Sequence, residues 1–193
     1  MAKKTHRHRK PKQNPVIPIA TGFLFIGIAL IWLALPNARS ETGAENGSSA
    51  GSSLPVSFPA PELTLETLHG KAESLADYHE SVVLVNNWAT WCPPCKAEMP
   101  VLEAYYKDHA GEGFMIIAVE AGDAKEAVTQ FVENYQLTFQ VWLDPSTASL
   151  KAFGNSNLPN SYVIDRKGMV RYAWTGQVTR SMLEKYVTPL LAE

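Results

Sequence analysis

An unbroken apolar run, Val82-Val83-Leu84-Val85, leads within a few positions into Trp91-Cys92-Pro93-Pro94-Cys95. A strand without polar alternation has to be covered on both faces, which calls for a sheet inside a layered α/β domain. Pro93 and Pro94 suit the first turn of a helix, where the N–H that proline lacks would have no partner in any case. The only two cysteines of the 193-residue chain therefore lie where a covered strand turns into a helix. Two intervening residues at a helix start leave both sulfurs within disulfide reach. The first sulfur then faces the unpaired N–H groups and the positive end of the helix dipole. That setting favours thiolate over thiol, and each pKa unit of lowering corresponds to about 1.4 kcal/mol. Such a pair can switch between dithiol and disulfide.

The remaining pattern fills in a sheet and its helices. Leu63-Thr64-Leu65 and Ala72-Glu73-Ser74-Leu75, separated by His69-Gly70, predict a short hairpin ahead of the main sheet. Met99, Leu102 and Tyr106 continue the cysteine helix at spacings of three and four, with Pro100 expected to kink it. Phe114 to Val119 is a second buried strand. Asp123 and Glu126 form a capping-box-like start to a helix whose apolar face is Ala127, Val128, Phe131, Val132 and Tyr135. Gln140 to Leu143 is a third strand. Ser161 to Ile164 and Met169 to Trp174 flank the turn Asp165-Arg166-Lys167-Gly168, and Thr179 caps a last helix bearing Leu183, Tyr186, Val187 and Leu190. The expected fold is α/β, a mixed central β-sheet sandwiched by helices with an N-terminal β-hairpin.

The first residues impose a different constraint. Lys3, Lys4, Arg7, Arg9, Lys10 and Lys12 precede Val16 to Leu35, a twenty-residue run without a charge. At 1.5 Å per residue it is about 30 Å long, the thickness of a bilayer's hydrocarbon core. The expectation is a basic cytoplasmic tail over 1–15, one transmembrane helix over 16–35 and an amino terminus inside, with Trp32 at the far interface. A cleavable signal peptide is the rival. It would have a shorter apolar region and a small-x-small site, whereas cleavage after Ala38 would put Pro36 at the third position back. Residues 36–55, rich in Gly, Ser and Asn, read as a flexible linker, and 56–193 as the folded domain. Residues 41–193 carry ten basic and 19 acidic side chains, a net charge of −9, which excludes nucleic acid as an expected partner.

Val82 to Pro100, VVLVNNWATWCPPCKAEMP, resembles the active-site strand and helix of the thioredoxin superfamily. More narrowly it is similar to the membrane-anchored TlpA/ResA-like thiol–disulfide oxidoreductases. The likeness extends over 56–193, through PAPELTL near the start, Leu158-Pro159 before a strand and VIDRKG in the last hairpin. It implies a thioredoxin-like fold, with Cys92 as nucleophile and the more exposed sulfur, and Cys95 as the resolving thiol. Glu98, three residues beyond Cys95, stays on roughly the same side of the helix. The CxxCxxE pattern implies that it accepts the Cys95 proton, with burial raising its own pKa. Asn86 stands where thioredoxin itself has a buried acid, which leaves that work to Glu98. A solvated surface glutamate is the alternative. Pro159 resembles the superfamily's cis-proline, with Leu158 offering backbone and side chain to a substrate strand, and Trp91, Pro93 and Pro94 as the apolar rim. The local LPNS departs from the more usual Pro-Thr continuation. Trp88 is expected in the core, and His69, His79 and His109 at the surface.

No cofactor or metal is expected, since two thiolates supply half of a four-ligand zinc set and no histidine lies near them in sequence. The resemblance implies an extracytoplasmic, membrane-tethered reductase of client disulfides, in apocytochrome c or in copper-site proteins. Its implied electron donor is a membrane thiol carrier of the CcdA/DsbD type. Two other classes stay open. A peroxiredoxin-like thiol peroxidase shares the fold, but its reactive cysteine normally follows a Thr by three residues, whereas Thr90 precedes Cys92 by two. A redox-inert binding module would also fit the fold, although an intact CxxC argues against it.

Overall fold

The computed structural model describes residues 53–193. The basic tail, the expected transmembrane helix over 16–35 and nearly all of the linker lie outside the described residues. Among the described residues no helix is long and apolar enough to cross a membrane.

Eight strands form one sheet: β1 (Ser53–Pro59), β2 (Thr64–Thr67), β3 (Ala72–Ser74), β4 (Val82–Trp88), β5 (Phe114–Glu120), β6 (Gln140–Leu143), β7 (Asn160–Ile164) and β8 (Met169–Thr175). Their order is β1-β8-β7-β4-β5-β6-β2-β3. The pairs β4–β5 and β5–β6 are parallel, joined by α1 (Pro93–His109) and α2 (Lys125–Tyr135), and the remaining pairs are antiparallel. Three short helices complete the chain: α3 (Ala148–Ala152), α4 (Arg180–Tyr186) and α5 (Thr188–Leu191).

The covered strand is where its apolar run says it should be. β4 lies between β5 and β7 and is buried at every position. Leu84 and Trp88 pack with Met99, Leu102 and Tyr105 of α1, Phe131 of α2 and Leu183 of α4. Val83 and Val85 turn the other way, toward Trp142, Tyr162 and Ile164, with Ala148 and Phe153 around α3 beside them. The long helices thus cover one face, while the other has only α3 and a 3₁₀ turn at Leu75–Tyr78. This unequal sandwich leaves the carboxyl end of β4, and the cysteines after it, at the rim of the sheet.

The expected hairpin forms as β2–β3 and extends the sheet, pairing through β2 with β6. Some local expectations are corrected. A further strand, β1, pairs with β8 on the opposite edge and begins at Ser53, inside the stretch read as linker. Asp123 does not cap α2, whose N-cap is Ala124 without a side-chain bond. The Asp123 carboxylate instead takes the N–H and hydroxyl of Thr90, at 2.9 and 2.7 Å. Thr179 does cap the last helical segment, accepting from Met182 N–H, but that segment breaks at Val187 into α4 and α5 where Pro189 removes a donor. Gly168, at φ +77°, closes the predicted β7–β8 turn, with Asp165 Oδ1 accepting the N–H of Lys167 and Met169.

Candidate active site

Cys92 is the N-cap residue of α1, in extended conformation, and its Sγ accepts the N–H of Cys95 at 3.4 Å. A sulfur that accepts from an orphan helix N–H is better placed to carry negative charge. The two cysteines are joined as a disulfide with their Cα atoms 5.3 Å apart. Cys92 is 3% exposed and Cys95 fully buried, so the expected difference in exposure exists but is slight. What distinguishes them is that Cys92 alone lines a groove of about 480 Å³ with Trp91, Pro93, Pro94 and Leu158. Trp91 is 66% exposed, the one large hydrophobic side chain so presented among the described residues, while Trp88 is buried against Phe131 with ring centroids 4.6 Å apart. Among the described residues no carboxylate, lysine or arginine lines this groove, whose polar side chains are Thr147, Ser156 and Asn157.

The opposite wall is the segment before β7. The Leu158–Pro159 peptide is cis. Asn160 follows it, fully buried, and its Nδ2 donates to the carbonyls of Asn157 at 2.6 Å and Asn155 at 3.3 Å. Asn160 Oδ1 accepts from Asn87 Nδ2 at 2.8 Å, and Asn87 Oδ1 accepts the Ser149 hydroxyl at 2.6 Å. The amide pair therefore ties β4 to the loop that forms the groove wall. The departure noted in LPNS has a partner in β4, and the Asn87–Asn160 bond, with Ser149 and the two loop carbonyls, pairs amides in a site where an unpaired one would cost about 1–3 kcal/mol.

Glu98 is fully buried, so the surface alternative is excluded. On α1 it sits one turn beyond Cys95, and its two carboxyl oxygens accept from Asn86 Nδ2 at 2.8 Å and Val178 N–H at 2.7 Å. Burial raises its pKa to about 7, against the lowering effect of those two donors. Asn86 also donates to Ser161 Oγ at 3.0 Å, so the residue in thioredoxin's acid position orients the carboxyl of Glu98. Among the described residues no cation pairs with Glu98, which leaves it able to hold or release a proton near neutral pH.

Sequence reasoning missed Asn87, Asn160, Ser149 and the pair Glu120 and Asp123. The signal for Asn87 was present: an asparagine at the end of a covered strand has to find a buried partner. The partner itself, 73 residues away, is visible only once the strands are paired. His109, expected at the surface, is half-buried, its ring tilted against that of Tyr105 with centroids 4.4 Å apart, and bonds Glu112 at 3.0 Å. Among the described residues no cluster of His, Cys, Asp and Glu could hold a metal ion.

The AhpC/TSA family matches residues 56–173. The thiol–disulfide oxidoreductase ResA of Bacillus subtilis is 35% identical over 169 residues, 88% of this chain and 90% of that protein. ResA of Geobacillus thermodenitrificans is 33% identical over 158 residues, covering 82% of this chain and 91% of its own length. The chain is a ResA-like thiol–disulfide oxidoreductase of the AhpC/TSA family. Solved structures agree on the fold of this ResA-like protein. A thiol:disulfide interchange protein of the thioredoxin family from Chlorobium tepidum superposes with a TM-score of 0.64 at 27% identity, covering 70% of this chain and 97% of its own. A DsbF homologue from Corynebacterium diphtheriae, at 23% identity, shares the fold alone, with a TM-score of 0.67 over 75% of this chain and 96% of that one.

Proposed function

We propose that this protein reduces disulfides of client proteins outside the cytoplasm, tethered by the helix expected at 16–35. The observation that carries the reading is the Cys92–Cys95 disulfide whose first sulfur opens on an uncharged groove, with the buried Glu98 carboxyl one turn behind the second. In the dithiol form the Cys92 thiolate attacks one sulfur of a client disulfide, and the other client sulfur leaves as a thiolate that takes up a proton. Cys95 then passes its proton to Glu98 and attacks Cys92, releasing the second client thiol and closing Cys92–Cys95. Two electrons have moved to the client, and a membrane thiol carrier of the CcdA/DsbD type returns them. Trp91, Pro93, Pro94, Leu158 and Pro159 shape the docking surface for an extended client segment, with apocytochrome c or copper-site proteins as the clients.

The peroxidase alternative is disfavoured by Thr90, whose hydroxyl is given to Asp123. Trapping tests the proposal. Cys95→Ser, expressed in full length, should accumulate mixed disulfides with extracytoplasmic clients, and Cys92→Ser should accumulate none while abolishing turnover. Peroxide consumption at the rate of client reduction, or function surviving when Cys92→Ser and Cys95→Ser are combined, would overturn it.

A further inference from the structure

Glu120 ends β5, is 1% exposed and has no part in the exchange described above. Its register partners are Trp88 on β4 and Leu143 on β6, so it sits at the end of the sheet that carries the cysteines. Both of its oxygens accept the N–H of Asp123, at 3.1 and 3.0 Å. Asp123 in turn holds Thr90 by N–H and hydroxyl, at 2.9 and 2.7 Å. The same strip is tied again by Ala121 N–H to the Trp88 carbonyl at 2.9 Å, and Cys92 N–H reaches back to the Ala89 carbonyl at 3.2 Å. A continuous chain of hydrogen bonds thus runs from a buried acid to the backbone that presents Cys92.

We propose that Glu120 and Asp123 share a proton and act as a positioning pair, holding residues 89–92 through Thr90 and so setting the reactivity of Cys92. Burial, and then the bond and charge of Asp123, push Glu120 up to about 8. Asp123 goes the other way: against burial, the hydroxyl and N–H of Thr90 and its bond with Glu120 lower it. At neutral pH Glu120 is the acid and Asp123 the carboxylate. The Glu120 O–H is donated to Asp123, which keeps its charge for Thr90. Other charged groups on the surrounding elements are engaged elsewhere. Asp144, after β6, accepts the N–H of Ala148 and Ser149; Lys125, at the head of α2, lies 3.8 Å from Glu66; Glu98, on α1, is held by Asn86 and Val178. When the pair loses its shared proton to solvent, a buried carboxylate faces a half-buried one. Their repulsion acts on the Thr90 contact, and a second negative charge disfavours the thiolate.

This inference rests on Cys92 being the attacking sulfur, and the test has two stages so that the two readings fail separately. In the oxidised protein neither cysteine titrates, so the Thr90 amide in a ¹⁵N–¹H spectrum reports the acid pair free of the sulfurs, and the Glu120→Gln comparison removes any share from Glu98. Wild type should show a Thr90 titration with a midpoint near 8, and Glu120→Gln, whose amide replaces the acid's donor, should be flat across the same range. A flat wild-type curve, or the same curve in Glu120→Gln, would overturn the pair. In the reduced protein, Cys92 alkylation by iodoacetamide should run about twofold or more faster in Glu120→Gln than in wild type above that midpoint, and equally below it. Superimposable alkylation profiles would overturn the coupling to Cys92, whereas an unreactive Cys92 in both proteins would overturn the proposed mechanism instead.

Discussion

Two glutamates pulled from the surface have opposite fates. Glu73, on the edge strand β3, bonds the Tyr78 hydroxyl, Gln140 Nε2 at 2.8 Å and Lys71 Nζ at 3.0 Å. The Tyr78 bond, outweighing burial, and then Gln140 and Lys71 lower its pKa to about 2. Glu98, beneath the cysteines, has two uncharged donors and no cation, and rises to about 7. Burial acts in the same direction on both. The difference is the company each carboxylate keeps: among the described residues the two carboxyl groups that burial raises on balance, Glu98 and Glu120, both lie toward the end of the sheet that carries the cysteines.

The most damaging change to that comparison is Glu98→Gln. Losing the titratable group should slow resolution of the mixed disulfide by about 10²–10⁴ while initial attack by Cys92 stays fast. Glu73→Gln should leave both half-reactions at wild-type rates. Stopped-flow measurement of the two steps on residues 53–193 checks this, and equal resolution rates in Glu98→Gln and wild type would remove Glu98 from the proton path.

Stability against pH separates the two acids next, with opposite slopes. For Glu73 the unfolded chain alone holds the proton between about 2 and 4.5, so its contribution is present above 4.5 and lost as pH falls through that window. Glu73→Gln should cost about 1–2 kcal/mol at neutral pH and little at pH 2, by urea unfolding. For Glu98 the folded chain alone holds the proton between 4.5 and about 7, so stability falls as pH rises through that window. Glu98→Gln should flatten that fall and gain about 1–2 kcal/mol at pH 7.5, at the expense of resolution. The smallest expected effect belongs to the groove rim. Trp91→Ala removes a side chain that packs on little, so stability should change by less than about 0.5 kcal/mol while the KM for a protein client rises and that for a small disulfide does not.

Much of this is legible in the sequence. The uncharged Val82–Val85 run demanded a covered strand, and the two prolines could only open a helix, so strand, cysteines and helix had to follow in that order. Local sequence also carried the Asp165–Gly168 turn and the Thr179 cap, because each depends on residues a few positions apart. The helix start at Asp123 was misread for the same reason. An acid before a helix looks like a cap, yet Thr90, 33 residues earlier, competes for it more closely.

What periodicity and motif determined, then, was the class of fold, the pair of sulfurs and the candidate acid three residues on. Only the tertiary structure decided which buried polar groups would meet. Asn87 finds Asn160, Asn86 finds Glu98, and Thr90 finds Asp123 because β4 is paired on both sides, with β5 and with β7. The strength of a buried hydrogen bond, and the pKa of a buried acid, depend on which groups stand within about 3 Å. That distance is set by sheet register and packing, which no local pattern in the chain encodes.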